Sequence, residues 1–440
     1  MRLIKRFLRP ARIRHYGHHG SAWGLGSLLI GLVAVGLASA GEYVTGLNRS
    51  LTHAAPFAAL LLTPAGFALC ALLGRRYFGG TQGSGIPQTI AAINTNTPGK
   101  KSTLLSLRIA FGKVMLTVMG LAAGASIGRE GPTVQIGASI MHSFFGRGPF
   151  QSVTARRTLI LAGGAAGIAA AFNTPLAGIM FAIEELSKEH VFKANSSVLI
   201  TVIMSGLISL ALLGNYTYFG SSSAYLDWQF GLSAVFACGL AGGIGGGLFS
   251  RLLLSASFIL PSRLAAYAKH RPVLFAALCG LGVALLGLVT DGMVYGTGYE
   301  ASRGTLETNA ALPWHFGIAK MAATLLSSMS GIPGGIFAPS LAVGAGLGDN
   351  VAALLPTIAP HGAIILLSMA AYLSGVTRAP LTSFIIMMEM TNSHHMLLPL
   401  MAATLVASGI SKLISPTPLY HALADRFLAA PQKMEESGAK

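Results

Sequence analysis

The chain of 440 residues carries only 14 aspartates and glutamates, so each carboxylate can be weighed against its surroundings. Glu130, Glu184, Glu185 and Glu389 stand within or at the ends of apolar segments. Glu42, Asp227, Asp291, Glu300, Glu307, Asp425, Glu435 and Glu436 read as loop or tail residues, Glu189 falls just past a span, and Asp349 fits either class. A charge at the bilayer centre costs about 2.5–3.5 kcal/mol on insertion scales, so a carboxylate retained there commonly faces a cavity and marks an ion or proton path. Glu130 follows Arg129 directly, and a structural salt bridge between these neighbours competes with the transport reading.

Three glycine-proline clusters accompany these charges: Gly83-Ser84-Gly85-Ile86-Pro87, Gly128-Arg129-Glu130-Gly131-Pro132 and Gly334-Gly335-Ile336-Phe337-Ala338-Pro339. Each opens an apolar helical pattern. Proline suits a helix start because its missing N–H has no intrahelical partner there. Glycine lets the backbone approach a ligand closely. Each start offers free amides and the positive end of a helix dipole, worth about 0.3–1 kcal/mol per charge and more when buried. Three such starts converging at mid-membrane would bind an anion without a fixed cation, which would hold it too tightly to release.

The elements that position these clusters are membrane helices. Hydrophobic residues make up 52% of the chain and charged ones 10%, against roughly 25% charged in soluble proteins. Ser21–Ala40, Pro56–Leu73, Ser196–Leu213, Pro272–Val289 and Met396–Ile414 are each near the 20 residues needed to cross about 30 Å of hydrocarbon. The formal charge of +16 does not indicate nucleic acid, because Lys and Arg sit at the ends of apolar runs. Arg2, Lys5, Arg6, Arg9, Arg12 and Arg14 precede the first span, while Arg75–Arg76, Lys100–Lys101 and Arg156–Arg157 flank others. Positive flanks favour the cytoplasmic side, so the N-terminus is expected inside. Ala38-Ser39-Ala40 resembles a signal cleavage site, but the basic region before it is too long, and the segment is read as retained.

Many of the 55 glycines fall at small-xxx-small spacing, as in Gly239, Gly242, Gly243, Gly246 and Gly247, which lets helices pack closely in lipid. The chain also repeats itself. Pro175 and Pro380 stand 205 positions apart, as do Glu184 and Glu389, while Pro132 and Pro339 are separated by 207. Two halves with broken apolar segments at corresponding positions predict a transporter with internal repeats and a binding site between them, without fixing whether the repeat is parallel or inverted.

The motifs GSGIP, GREGP and GIFAP in this order resemble those of the CLC family of chloride channels and proton–chloride antiporters. The likeness runs from about Gly74 to Leu428, with Lys113 before GREGP and Pro418-Leu419-Tyr420 near the end. It implies an all-α polytopic fold with two inverted repeats: residues 1–20 a basic cytoplasmic segment, 21–428 the transmembrane domain, and 429–440 a short cytoplasmic tail without paired regulatory domains. It further implies that chloride is bound by the hydroxyls of Ser84 and Tyr420 and by the amides of Ile336 and Phe337. Glu130 is then the gate, a carboxylate that occupies an anion site when charged and leaves it when protonated. Lys113 and Arg129 shape the electrostatics of the pathway. Glu185, second of a Glu-Glu pair, corresponds to the internal proton-transfer residue of transporting members. Serine at 84 matches chloride-selective members, where nitrate-preferring ones have proline and fluoride exporters methionine. Some relatives carry acidic residues just after GSGIP, one of them close to the internal glutamate; here stand Gln88 and Ile90, which bears on the setting of Glu185.

The expected function is therefore proton-coupled chloride antiport in a bacterial inner membrane, both termini cytoplasmic, by a homodimer in membrane lipid, with no cofactor. A passive chloride channel is the nearest alternative, disfavoured by Glu185. A cation-coupled transporter would need carboxylates beside broken-helix carbonyls. For an intramembrane enzyme there is no HExxH motif, and the adjacent His394-His395 cannot share one helix face. Metal binding by His15, His18 and His19 is not expected, nor disulfides from Cys70, Cys238 and Cys279, which lie in apolar runs without CxxC pairing.

Overall fold

The computed structural model describes residues 10–95, 104–187, 196–214, 219, 225–226, 228–255, 268 and 270–437, with the side chains of 10–19, 228–230 and 429–437 set aside. The expectations for Arg2, Lys5, Arg6, Arg9, Lys100, Lys101, Glu189 and Asp227 lie outside the described residues, as do those for the side chains of Arg12, Arg14, His15, His18, His19, Glu435 and Glu436. Among the described residues the chain is helical, without strands.

Among the described residues, six helical stretches are long and apolar enough to cross a membrane: Gly20–Ala54, Pro56–Arg76, Ser196–Leu213, Gly231–Leu254, Pro272–Val289 and His394–Ile414. The first corrects the expected end at Ala40. Helix α1 (Pro10–Ala54) runs on for more than three turns, so Glu42 is a helical residue and not a loop one. The apolar span alone accounts for fewer residues than that. The remainder is held by Asn48, whose Nδ2 donates to the Ala122 carbonyl at 3.0 Å, and by an ion pair between Arg49 and Glu300.

The first half continues with α2 (Ala59–Arg76), α3 (Ile86–Asn94), α4 (Leu107–Ala122), α5 (Glu130–His142), α6 (Val153–Phe172), α7 (Pro175–Phe181), a π-helical turn (Ala182–Leu186) and α8 (Ser196–Leu213). The second contains α9 (Trp228–Leu254), α10 (Pro272–Val289), α11 (Tyr299–Thr308), α12 (Phe316–Met329), α13 (Phe337–Leu354), α14 (His361–Thr377), α15 (Pro380–Thr391) and α16 (Leu397–Ile414). Helix α17 (Leu419–Ser437) closes the series. Glu300 and Glu307, expected in a loop, lie on α11, and Asp425 lies on α17. Asp349 is committed to structure: its carboxylate accepts from the Leu312 amide at 2.9 Å and meets His361 Nε2 at 2.7 Å.

The two halves pack alike. The contacts of α5 with α6, α6 with α8, α1 with α8, α1 with α6 and α4 with α5 recur as α13 with α14, α14 with α16, α9 with α16, α9 with α14 and α12 with α13. Across the halves, α2 packs on α10 and α7 on α15, each against its own counterpart. Close approach explains part of the glycine content: a Cβ on Gly137 of α5 would collide with the Gly163 carbonyl of α6, and one on Gly163 with that of Gly137.

Helices α3, α5 and α7 have nine, thirteen and seven residues, too short to cross about 30 Å at 1.5 Å per residue. Every residue of α5 is buried. Backbone that ends inside a membrane must be satisfied by protein or line a cavity. This requirement concentrates the helix ends at one place.

Candidate functional site

The three glycine-proline breaks are joined to one another through the backbone. Gly128 and Gly335 exchange two hydrogen bonds, each of 2.7 Å, and Gly83 accepts from Gly334 at 3.1 Å while donating to the Ile332 carbonyl at 3.2 Å. The starts of α3, α5 and α13 are thus fixed together, although they come from distant parts of the chain. Gly85, the residue before α3, has φ of +102°, a left-handed conformation that favours glycine. The first amides of each helix have no partner within it and are left to face whatever lies between the three starts.

Around this junction stand the predicted anion ligands. The hydroxyls of Ser84 and Tyr420 lie close enough to act on one another, and neither makes a hydrogen bond of full geometry among the described residues. Phe337 at the start of α13 stacks on the Tyr420 ring, centroids 6.0 Å apart and planes inclined by 12°, and touches Phe172 and Phe181. This aromatic packing fixes the Tyr420 ring against the start of α13. Ser84, Ile336 and Tyr420 line one side of a cavity that also meets Gln88 and Arg426.

Glu130 is fully buried. Its carboxylate lies beside the amides of Arg129, Glu130 and Ala338, without reaching hydrogen-bond geometry to any of them. It therefore sits where two helix starts converge, in surroundings suited to an anion. A second cavity is lined by Glu42, Arg129, Tyr295, Thr297 and Gly298, and so takes in the residue before Glu130. Arg129 Nη1 donates to the Ala38 carbonyl at 2.9 Å and to Glu42 Oε1 at 3.0 Å. The helical turn of α1 beyond Ala40 is what brings Glu42 there.

Lys113 is buried, and its Nζ donates to the carbonyls of Thr81 at 2.8 Å and Gly83 at 2.6 Å. Its charge is spent on holding the loop that carries Ser84. Sequence reasoning missed its counterpart. Lys320 on α12 stands 207 positions later, is equally buried, and donates to the carbonyls of Val294 and Gly296, both at 2.8 Å. Gly298 precedes α11 in a left-handed conformation, as Gly85 precedes α3. The spacing of 207 already found between Pro132 and Pro339 was the signal that pointed to it.

Glu185 lies on the π-helical turn, buried and beside His421 of α17. Helix α3 packs on this turn, yet Gln88 is turned to the Gln82 carbonyl and Ile90 belongs to the apolar core. Glu184 is not part of this pair's chemistry: its carboxylate accepts from the Leu381 and Thr382 amides at the start of α15. The three cysteines are buried free thiols.

Comparison with known proteins places this geometry among relatives. Residues 66–412 match the family model described as voltage gated chloride channel. The chain is 32% identical over 419 residues to the H(+)/Cl(-) exchange transporter ClcA of Citrobacter koseri, covering 91% of this chain and 86% of that one. Against the ClcA of Salmonella agona the identity is 31% over 420 residues, covering 91% and 87%. Among solved structures, a slow cyanobacterial Cl-/H+ antiporter superposes with a TM-score of 0.79 at 26% identity, over 93% of this chain and 97% of that one. A CLC-type fluoride/proton antiporter shares the fold with a TM-score of 0.75 at 24% identity, over 91% and 98%.

Proposed function

The chain belongs to the voltage gated chloride channel family, and from that premise we propose that it exchanges chloride for protons across a membrane, with Glu130 as gate and Glu185 as the internal proton-transfer residue. The observation that carries the reading is the place of the Glu130 carboxylate. It lies among the amides of Arg129, Glu130 and Ala338, at the helix starts whose neighbours Ser84 and Ile336 line one cavity and Arg129 another.

A charged carboxylate in such a position excludes chloride by occupying a site made for an anion. Protonation cancels its attraction to the helix starts and frees the site. Proton and chloride then compete for one place, which is the elementary requirement of exchange. The hydroxyls of Ser84 and Tyr420 and the amides of Ile336 and Phe337 replace hydration without a full cation, so the ion is bound yet can leave. Lys113 contributes chiefly by fixing the Ser84 loop.

The chain is an integral membrane protein. The inner membrane of a bacterium is the proposed location, with both termini cytoplasmic by the basic flanks of the spans. The acting unit is proposed to be a homodimer in lipid with one pathway in each subunit, and no cofactor takes part. Chloride flux from proteoliposomes with simultaneous pH recording tests the exchange. A chloride gradient should drive protons uphill; chloride movement with no proton movement identifies a passive channel instead.

A further inference from the structure

Glu185 presents a problem of access. Its carboxylate is only 1% exposed, and α3, which packs on its turn, brings no ionisable group to it. The positions after GSGIP hold Gln88, tied to a loop carbonyl, and Ile90, which is wholly buried among apolar side chains. A carboxylate so enclosed needs a partner that reaches water.

His421 meets that need. Its Nε2 lies 3.7 Å from Glu185 Oε1 and 3.2 Å from the Glu185 carbonyl oxygen, and the side chain is 16% exposed. It follows Tyr420 directly in α17, and successive helical residues point about 100° apart. Tyr420 therefore faces the Phe337 ring and the anion cavity, while His421 faces Glu185. One helix start thus separates a chloride-facing side chain from a carboxylate-facing one. Imidazole is the side chain that exchanges protons with water most readily between pH 5 and 8.

We propose that His421 carries the proton between water on the α17 side and Glu185, a step that rests on the role of Glu185 proposed above. Neutral His421, donating from Nε2 toward the Glu185 carbonyl, takes a proton from water at Nδ1. The imidazolium gives its Nε2 proton to the Glu185 carboxylate, leaving a neutral acid and a neutral imidazole protonated at Nδ1. Exchange with water, one proton taken up at Nε2 and one released from Nδ1, restores the starting tautomer, and the reverse sequence discharges Glu185. The 3.7 Å separation closes by a small side-chain rotation or by one bridging water.

Other charges around α17 leave this role to His421. Of the elements packed on it, α3 has no titratable side chain, α9 offers Arg251, and α14 ends in Arg378, whose charge acts on Glu185 while its Nη1 is held by the Ser415 and Pro416 carbonyls. On α17 itself stand Asp425, which is exposed, and Arg426, held by the Leu254 carbonyl at 2.7 Å. Glu184 of the π-turn is engaged with α15. The arginines stay protonated in this pH range and cannot relay.

The test compares His421→Gln and His421→Ala in proteoliposomes, reading chloride-driven proton flux against pH on the α17 side. Glutamine retains a donor toward the Glu185 carbonyl but cannot take up a proton. Both variants should lose about tenfold in coupled turnover near neutral pH and lose its dependence on pH between 5 and 8. In a Glu130→Gln background, where chloride moves without protons, His421→Gln should leave chloride flux within about twofold. Wild-type turnover and pH profile in His421→Gln overturn the relay, as does a loss confined to His421→Ala or an equal slowing of the Glu130→Gln leak, both of which identify a packing role. Glu185→Gln, measured alongside, separates the two levels: persistent proton pumping there overturns the underlying reading, whereas its loss with a normal His421→Gln overturns the relay alone.

Discussion

Glu184 and Glu389 cap each other's helices. Glu184 accepts from the Leu381 and Thr382 amides at the start of α15 at 3.1 and 2.7 Å, and Glu389 accepts from the Leu176 and Ala177 amides at the start of α7 at 3.1 and 2.7 Å. Each carboxylate belongs to the far end of one segment and satisfies the near end of the other, so the two segments run in opposite directions. Together with the paired bonds of Gly128 and Gly335, this identifies the internal repeat as inverted. The four membrane carboxylates thus play two different parts. Glu184 and Glu389 neutralise helix starts, whereas Glu130 and Glu185 lie on the proposed path.

Glu184→Ala and Glu389→Ala should each lower stability by about 1 kcal/mol, the usual effect of losing a helix-start acceptor. In detergent this reads as a fall of a few degrees in the thermal midpoint, similar for the two. Proton coupling should remain. A Glu184→Ala protein of normal stability that no longer moves protons would return Glu184 to the proton path.

Much of this was legible in the chain, for physical reasons that differ by residue. Glycine and proline mark helix starts because their backbone constraints are local, so the starts at Ile86, Glu130 and Phe337 stand out without knowledge of the fold. The partners of buried charges are not local. The Glu184 and Glu389 caps span 197 to 213 residues, and nothing near either glutamate announces them. Arg129 precedes Glu130 in the chain, yet Nη1 finds Glu42, 87 residues away, because α1 continues past Ala40. Lys320 was readable by the repeat spacing, which also pairs Thr117 with Thr324 and Gly124 with Gly331.

The two lysines should respond differently to the same change. Lys113→Met and Lys320→Met each leave two buried carbonyls without their donor, a loss on the order of 1–3 kcal/mol per group. The loop freed by Lys113→Met carries Ser84, and chloride affinity measured by calorimetry should fall about tenfold. The loop freed by Lys320→Met lines the cavity of Arg129, away from the cavity of Ser84 and Tyr420. Its loss should appear as reduced thermal stability, with chloride affinity within about twofold of the parent. Equal affinities in the two variants would show that Lys113 does not act through the Ser84 loop.

Ser84→Pro should shift anion choice toward nitrate. The Ser84 hydroxyl makes no hydrogen bond of full geometry and lines the cavity proposed to hold chloride, so its removal is expected to alter the ligand and not the packing. Proline there takes away one directional donor and stiffens the approach to Gly85. The ratio of nitrate-driven to chloride-driven proton flux should rise several-fold. An unchanged ratio, in a variant that still transports, removes Ser84 from the selectivity of the site.

Glu130→Gln tests the gate itself. Glutamine has the shape of the protonated acid and cannot acquire the charge that competes with chloride. The native side chain, buried beside the amides of Arg129, Glu130 and Ala338, passes in the proposed cycle between a charged form that occupies the site and a neutral one that leaves it, and so is balanced between two states. The variant stays on one side of that balance. It should conduct chloride passively, with little dependence on pH and no proton movement in either direction. Because Arg129 is anchored through Ala38 and Glu42, loss of the Glu130 charge should leave α5 in place and the thermal midpoint close to that of the parent. An inactive, unstable protein would mean that Glu130 chiefly supports the fold; chloride flux that still drives protons uphill would mean that the gate lies elsewhere.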